Sequence, residues 1–205
     1  MSAGIPAVLC MAALSILIYT GWFSSVADDL AIPRSMILYY LLGAVVLSGF
    51  PPVPKDQLIQ IDPGFGALLW LFVALAVKMH KKWRLSFASL CLFLGSSLFL
   101  WHEISRVETD WSDLSFRAVI VLSLVLIPVC FAKNLGDRVT LAVGGALVAH
   151  AWILIFHHEV LKPLIIGNDE YLDTVWICIT SVFLVHYSVR AAQEWLRKWR
   201  KMGSI

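Results

Sequence analysis

Histidine and acidic side chains at the ends of three apolar segments are the residues of this sequence best suited to chemistry. They are His102 and Glu103 at the end of one segment, His157 and His158 at the end of another, and Asp173 at the start of a third. Two histidines and a carboxylate that meet in space form a ligand set typical of Zn²⁺. The candidate metal ligands are therefore His102, His157, His158 and Asp173.

A further histidine, His150, lies near the middle of an apolar segment. Ionisable groups inside a bilayer are costly and mark functional sites by default. The neighbouring Gly145 and Ala149 are small residues that favour close helix packing. Three interpretations stay open for His150: a hydrogen bond to a neighbouring helix, a proton relay, or a place in the wall of a ligand pocket. The candidate catalytic residues are accordingly His102, Glu103, His150 and Asp173.

The composition predicts the class of protein that must position these residues. Of the 205 residues, 60% are hydrophobic, whereas soluble domains are about 45–50% apolar. The mean hydropathy is +0.80. A helix needs about 20 apolar residues to cross the hydrocarbon core of a bilayer, and the apolar residues here fall into runs of about that length. We therefore expect an all-α, multi-pass protein of the cell membrane, with the bilayer as a partner and no nucleic acid.

Seven apolar runs are long enough to be considered membrane spans. Proline-rich or charged connections separate these runs. The prolines end helices because proline lacks a backbone donor and restricts the residue before it. The predicted spans are Ile5–Phe23, Pro33–Phe50, Gly64–Met79, Leu85–Ile104, Arg117–Ala132, Val139–His157 and a last one from Asp173 to His186. The sequence thus predicts a seven-helix bundle.

The basic residues predict how this bundle is oriented. Lysine and arginine are retained on the cytoplasmic side of a membrane. Alternating connections place twelve of the sixteen basic residues on one side, and the segment Lys78–Arg84 contributes four of them. The N-terminus is therefore expected outside and the C-terminus in the cytoplasm. Most acidic residues, including those between Ser105 and Phe116, then fall on the outer side.

The chain divides into a transmembrane part, residues 1–186, and a basic tail, residues 187–205. Apolar residues recur in the tail at helical spacing, with basic residues around them. Such a helix can lie on the anionic inner leaflet, or it can extend the seventh span into water. The residues expected to contact the membrane surface are Arg197, Lys198, Trp199, Arg200 and Lys201.

Two families resemble this sequence in part. Outer histidines and acids on a seven-helix bundle resemble the membrane hydrolases related to alkaline ceramidases, but their HxxxH pair in the last helix is replaced here by a lone His186. The length and span pattern are similar to the YphA family of small membrane proteins from endospore-forming Bacillota. The stretches that carry this second resemblance are Gly64-Phe65-Gly66-Ala67-Leu68-Leu69, Glu103, Gly144-Gly145 and Tyr171-Leu172-Asp173. It implies an integral membrane protein of a spore former, with no activity to transfer.

The leading hypothesis for function is a non-enzymatic integral membrane protein. It would act through association with a second copy or another membrane protein, in an envelope or sporulation process, and no cofactor is expected. Two alternatives stay open. The first is a zinc-dependent membrane hydrolase, and the second is a small proton-coupled transporter built around His150.

Overall fold

The computed structural model describes residues 4–51, 53–54, 59–78, 84–107, 113–158 and 164–202. Over these ranges the chain is mostly helical, with eight α-helices and one small three-stranded sheet. The helices are α1 (Ile5–Thr20), α2 (Val26–Leu30), α3 (Arg34–Ser48), α4 (Pro63–Lys78), α5 (Arg84–Val107), α6 (Asp113–Phe131), α7 (Leu135–His157) and α8 (Asp169–Met202). The strands are β1 (Val53–Pro54), β2 (Ile59–Ile61) and β3 (Leu164–Ile166).

The all-α prediction is confirmed, and three helices of the described chain are long and apolar enough to cross a membrane. These are α5, α7 and α8, while α1, α3, α4 and α6 provide shorter apolar helices. Several features differ from the predicted elements, and α6 and α7 each begin four residues earlier than predicted, at Asp113 and Leu135. The short helix α2 occupies the polar connection after the first span, and α8 is a single helix of 34 residues that begins at Asp169 rather than Asp173.

Helix α7 is the centre of the bundle and packs against α4, α5, α6 and α8. Its small residues allow this, because a helix without bulky side chains lets neighbouring backbones come close. A Cβ atom at Gly95 of α5 would lie 2.5 Å from Val148 and 2.8 Å from the carbonyl oxygen of Gly145. A Cβ atom at Gly144 would lie 2.6 Å from the sulfur of Cys91. Helices α5 and α7 are therefore in backbone contact.

Helix α1 packs between α3 and α8, and a buried carboxylate fixes its start. Asp173 Oδ2 accepts a hydrogen bond from the Gly4 amide at 3.0 Å, and Oδ1 accepts one from the Ala7 amide at 2.8 Å. The first amides of a helix have no partner within that helix, so an acidic side chain there can accept their hydrogen bonds. Its negative charge also interacts favourably with the positive end of the helix dipole. Asp173 therefore caps α1, although it belongs to α8.

At one end of the bundle, the connections before α4 and before α8 meet in the three-stranded sheet. Strand β2 pairs antiparallel with β1 and parallel with β3. Asp62 continues the pairing, since its amide donates to the Ile166 carbonyl at 3.0 Å, and its carboxylate accepts from the Gly64 amide at 2.7 Å. Burial raises the pKa of the Asp62 carboxyl, and the Gly64 hydrogen bond opposes that rise. Asp62 therefore ties the start of α4 to the connection before α8.

At the opposite end, basic side chains bind the last carbonyl groups of helices. Arg34 donates to the carbonyl oxygen of Tyr19 at 2.8 Å, next to the end of α1. Arg138 donates to the carbonyl oxygen of Ala132, just after α6, at 2.9 Å. Cations stabilise the negative end of a helix dipole. These arginines were expected on the cytoplasmic side, and in the structure they also cap helices.

We expect that Gly95→Ala lowers the free energy of unfolding by about 1–3 kcal/mol, the usual cost of overpacking. The added methyl group would overlap backbone and Cβ atoms that cannot move independently of α7. The measurement is the unfolding transition of the purified protein in detergent. Gly43→Ala in α3 is the matched control, because no atom lies within 4 Å of its added Cβ. Equal losses in the two variants would show that the α5–α7 contact is not tight.

Candidate functional site

A cavity of about 690 Å³ lies between α5, α6, α7 and α8. It exists because α5 packs on α7 while α6 packs on α7 and α8, so that α5 and α6 hardly touch each other. Its apolar wall includes Leu98 of α5, Ile120 and Leu124 of α6, and Ala146 and Ile153 of α7. Sites for small molecules are concave, mostly apolar and about 300–1,000 Å³ in volume. The cavity has the size and lining of a ligand site.

The polar part of the cavity wall carries two cations and one anion. Arg106 of α5, Arg117 of α6 and Glu170 of α8 all line it, and all three are exposed. Arg117 and Glu170 form an ion pair through Nη2 and Oε1. Arg106 forms no ion pair with any residue in the described part of the chain. His102 and Ser105 lie beside it in the same wall.

His150 is buried and lies in the α7 wall of the cavity, with 7% of its surface exposed. Its Nε2 atom accepts a hydrogen bond from the Gly167 amide at 3.1 Å. In a neutral imidazole the proton is then on Nδ1. The expected hydrogen bond is therefore present, but its donor is the backbone after β3 and not a neighbouring helix.

Two aromatic rings hold the His150 imidazole in place. The Tyr171 ring stacks on it with centroids 4.2 Å apart, and the Phe65 ring lies tilted at 5.8 Å. Gly167 completes this arrangement, because its φ of +77° favours glycine and a Cβ there would lie 2.3 Å from Phe65 Cβ. Two of the stretches behind the YphA resemblance, those with Phe65 and Tyr171, therefore meet at His150.

The predicted zinc ligands are brought together only in part, since His102 lies near His157 and Glu103. No group of three or more His, Cys, Asp or Glu side chains forms a metal site among the residues described. His157 Nε2 approaches Glu103 Oε1 at 3.4 Å, whereas Asp173 is engaged with the start of α1. His158, the residue after α7, has its Nδ1 atom 2.9 Å from the carbonyl oxygen of Ile155.

The candidate catalytic residues divide in the same way. His102 and His150 both line the cavity, Glu103 lies next to His157 outside the cavity wall, and Asp173 caps α1. The two histidines are on different helices, and no carboxylate other than Glu170 lines the cavity among the described residues. Sequence reasoning missed Arg106, Arg117 and Glu170, although the two arginines were visible as basic residues flanking the connection between α5 and α6.

The basic tail is the continuation of α8. Helix α8 continues without a break past His186 to Met202. Its 34 residues correspond to a total length of about 51 Å at 1.5 Å per residue. Trp195 and Trp199 are exposed on one side of it, with ring centroids 5.1 Å apart. Arg197 and Lys198 are exposed too, while the side chains of Arg200 and Lys201 lie outside the described residues. The structure therefore favours an extension of the last span, and contact with the inner leaflet stays a prediction.

No protein-family model, no curated protein and no solved structure matches the chain. The resemblance to the YphA family therefore stays a prediction.

We expect that His150→Leu lowers the free energy of unfolding by about 1–3 kcal/mol, because the buried Gly167 amide loses its acceptor. His150→Gln is the matched control, since its side-chain oxygen can accept the same hydrogen bond. Unfolding in detergent, followed by circular dichroism, measures both variants. If the leucine variant is as stable as the unmodified protein while glutamine is not, the Gly167 hydrogen bond does not matter for stability.

Proposed function

We propose that this chain is a multi-pass protein of the bacterial cell membrane with seven spans, an external N-terminus and a cytoplasmic C-terminus. The connections before α4 and before α8 join in one sheet, which supports an arrangement in which both are on one side. The basic side chains that cap helices, Arg34 and Arg138, gather with Arg190 at the other end, where Asp29 also lies. This separation agrees with the distribution of basic residues in the sequence.

The shorter helices fit this proposal if the bilayer adapts to them. Helices α1 and α4 have 16 residues and α3 has 15, which corresponds to about 22–24 Å. The hydrocarbon core is about 30 Å thick. Short spans are accommodated by local thinning of the bilayer, at a cost of fractions of a kcal/mol per Å. The small sheet extends the bundle at the end where α4 and α8 begin.

Within this membrane protein, we propose that the cavity between α5 and α6 binds a small amphiphilic molecule and that binding, not catalysis, is its role. The observation that carries the proposal is a cavity of about 690 Å³ with an apolar wall and a charged rim. An alkyl chain lying along the apolar wall would bury apolar surface and so stabilise the bundle.

The two alternatives have less support. A hydrolase needs a metal or an acid–base pair in the cavity, but neither Glu103 nor Asp173 lines it, and Asp173 is hydrogen-bonded to the start of α1. A transporter needs a polar path from His150 to the other end of the bundle. In the described half of α7 before His150, the buried residues are apolar except Thr140, whose hydroxyl donates to the Gly136 carbonyl.

The proposed orientation predicts the accessibility of three sites. A reporter fused after Met202 and one inserted within Lys78–Arg84 should read cytoplasmic, while one within Glu108–Asp113 should read external. The reason is the retention of basic residues on the cytoplasmic side. Labelling of the Lys78–Arg84 segment by an impermeant reagent from outside would contradict the orientation.

The proposed binding role predicts that filling the cavity abolishes binding. We expect Ala149→Phe, which places a ring into the α7 wall, to remove saturable binding of tritiated decanol and tritiated decanoate to protein in nanodiscs. Ala151→Phe is the matched control, because Ala151 is exposed on the same helix. The measurement is scintillation proximity with the immobilised protein. Absence of saturable binding of either probe to the unmodified protein would refute the proposed function.

A further inference from the structure

We infer that the occupant of the cavity is a single-chain amphiphile with one anionic group, a carboxylate or a phosphate, that binds at Arg106. This inference rests on the proposed function and names the class of ligand for the same site. The alkyl chain would lie along the apolar wall between α5 and α6, and the gap between these helices would admit it sideways from the bilayer.

Both helices that border the gap change from apolar to cationic in the same direction. On α5 the cavity residues are Leu98, His102 and Arg106, four residues apart and therefore on one face of the helix. Leu98 and Arg106 are separated by about 12 Å along the axis. On α6 the sequence order is the opposite, because Arg117 comes first and Leu124 follows seven residues later, about 10.5 Å along the axis.

The two gradients are aligned because α5 and α6 follow each other in the chain and run in opposite directions. Their cationic ends are those next to the connection of residues 108–112, and their apolar ends are deeper in the bundle. An amphiphile likewise changes from charged at one end to apolar at the other. The anionic group would lie at the arginines, and its chain would contact Leu98, Ile120 and Leu124.

The charged residues of the cavity wall favour a ligand whose headgroup carries one negative charge. Arg117 is paired with Glu170, and Arg106 is the cation left without an ion pair among the described residues. Guanidinium groups bind carboxylates and phosphates through paired, charge-assisted hydrogen bonds. A carboxylate or a phosphate would give Arg106 an ion-pair partner, whereas a neutral headgroup would not, and a second negative charge would be close to Glu170.

The experiment compares two probes that share a chain and differ in charge. Tritiated decanoate and decanol are titrated onto the full-length protein in nanodiscs of zwitterionic lipid. We expect decanoate to bind about tenfold more tightly than decanol, which corresponds to one charge-assisted hydrogen-bonded pair. Arg106→Gln should abolish this difference, and Arg106→Lys should retain most of it. Arg197→Gln in the exposed end of α8 is the control for a general loss of positive charge.

Each result separates this inference from the proposed function. Equal affinities for decanoate and decanol, or a preference unchanged by Arg106→Gln, would overturn the inference while the cavity remains a binding site. Displacement of decanoate only by a two-chain phosphatidylglycerol, and not by unlabelled decanoate or decyl phosphate, would overturn the single-chain class. If Arg106→Gln fails to fold, the ratio of the two affinities in the unmodified protein and in Arg106→Lys still decides.

Discussion

The backbone contact between α5 and α7 is the constraint on which the rest of the bundle depends. Gly95 and Gly145 have no side chains there, and any Cβ at Gly95 would overlap α7. Because α5 is held so close to α7, it cannot also pack against α6, which is taken up by α7 and α8. The cavity is the space that this arrangement leaves. Two glycines that do not themselves line the cavity thus determine that a cavity exists.

Much of the fold could be predicted, because apolar runs bounded by proline and charge are strong signals. The starts of α3, α4 and α5 lie within one residue of those predicted. The exceptions are features fixed by tertiary contacts. Helix α2 and strand β3 are too short to show a periodicity. Helix α8 continues beyond its apolar run, and hydropathy could not predict this extension because its residues are polar. The partner of Asp173 is α1, more than 160 residues away in sequence.

The site could be predicted only in part, for a related reason. His150 stood out because an ionisable residue within an apolar run is costly, and the structure places it in the cavity wall. The residue types alone suggested a set of zinc ligands. Which helix ends face each other depends on packing, and in the structure Asp173 binds the start of α1. The arginines of the charged rim lie at the ends of predicted spans, where basic residues are common, so nothing in the sequence distinguishes them as cavity residues.

The central claim is that the gap between α5 and α6 holds an alkyl chain, and photo-crosslinking tests it most directly. A decanoate analogue with a diazirine near the end of its chain would be irradiated with the protein in nanodiscs, and the labelled peptides identified by mass spectrometry. The account predicts label concentrated on Leu98, Ile120 and Leu124, and removed by excess unlabelled decanoate. Label spread over exposed, outward-facing residues such as Ile16, Leu42 and Val73, with no effect of competitor, would contradict it.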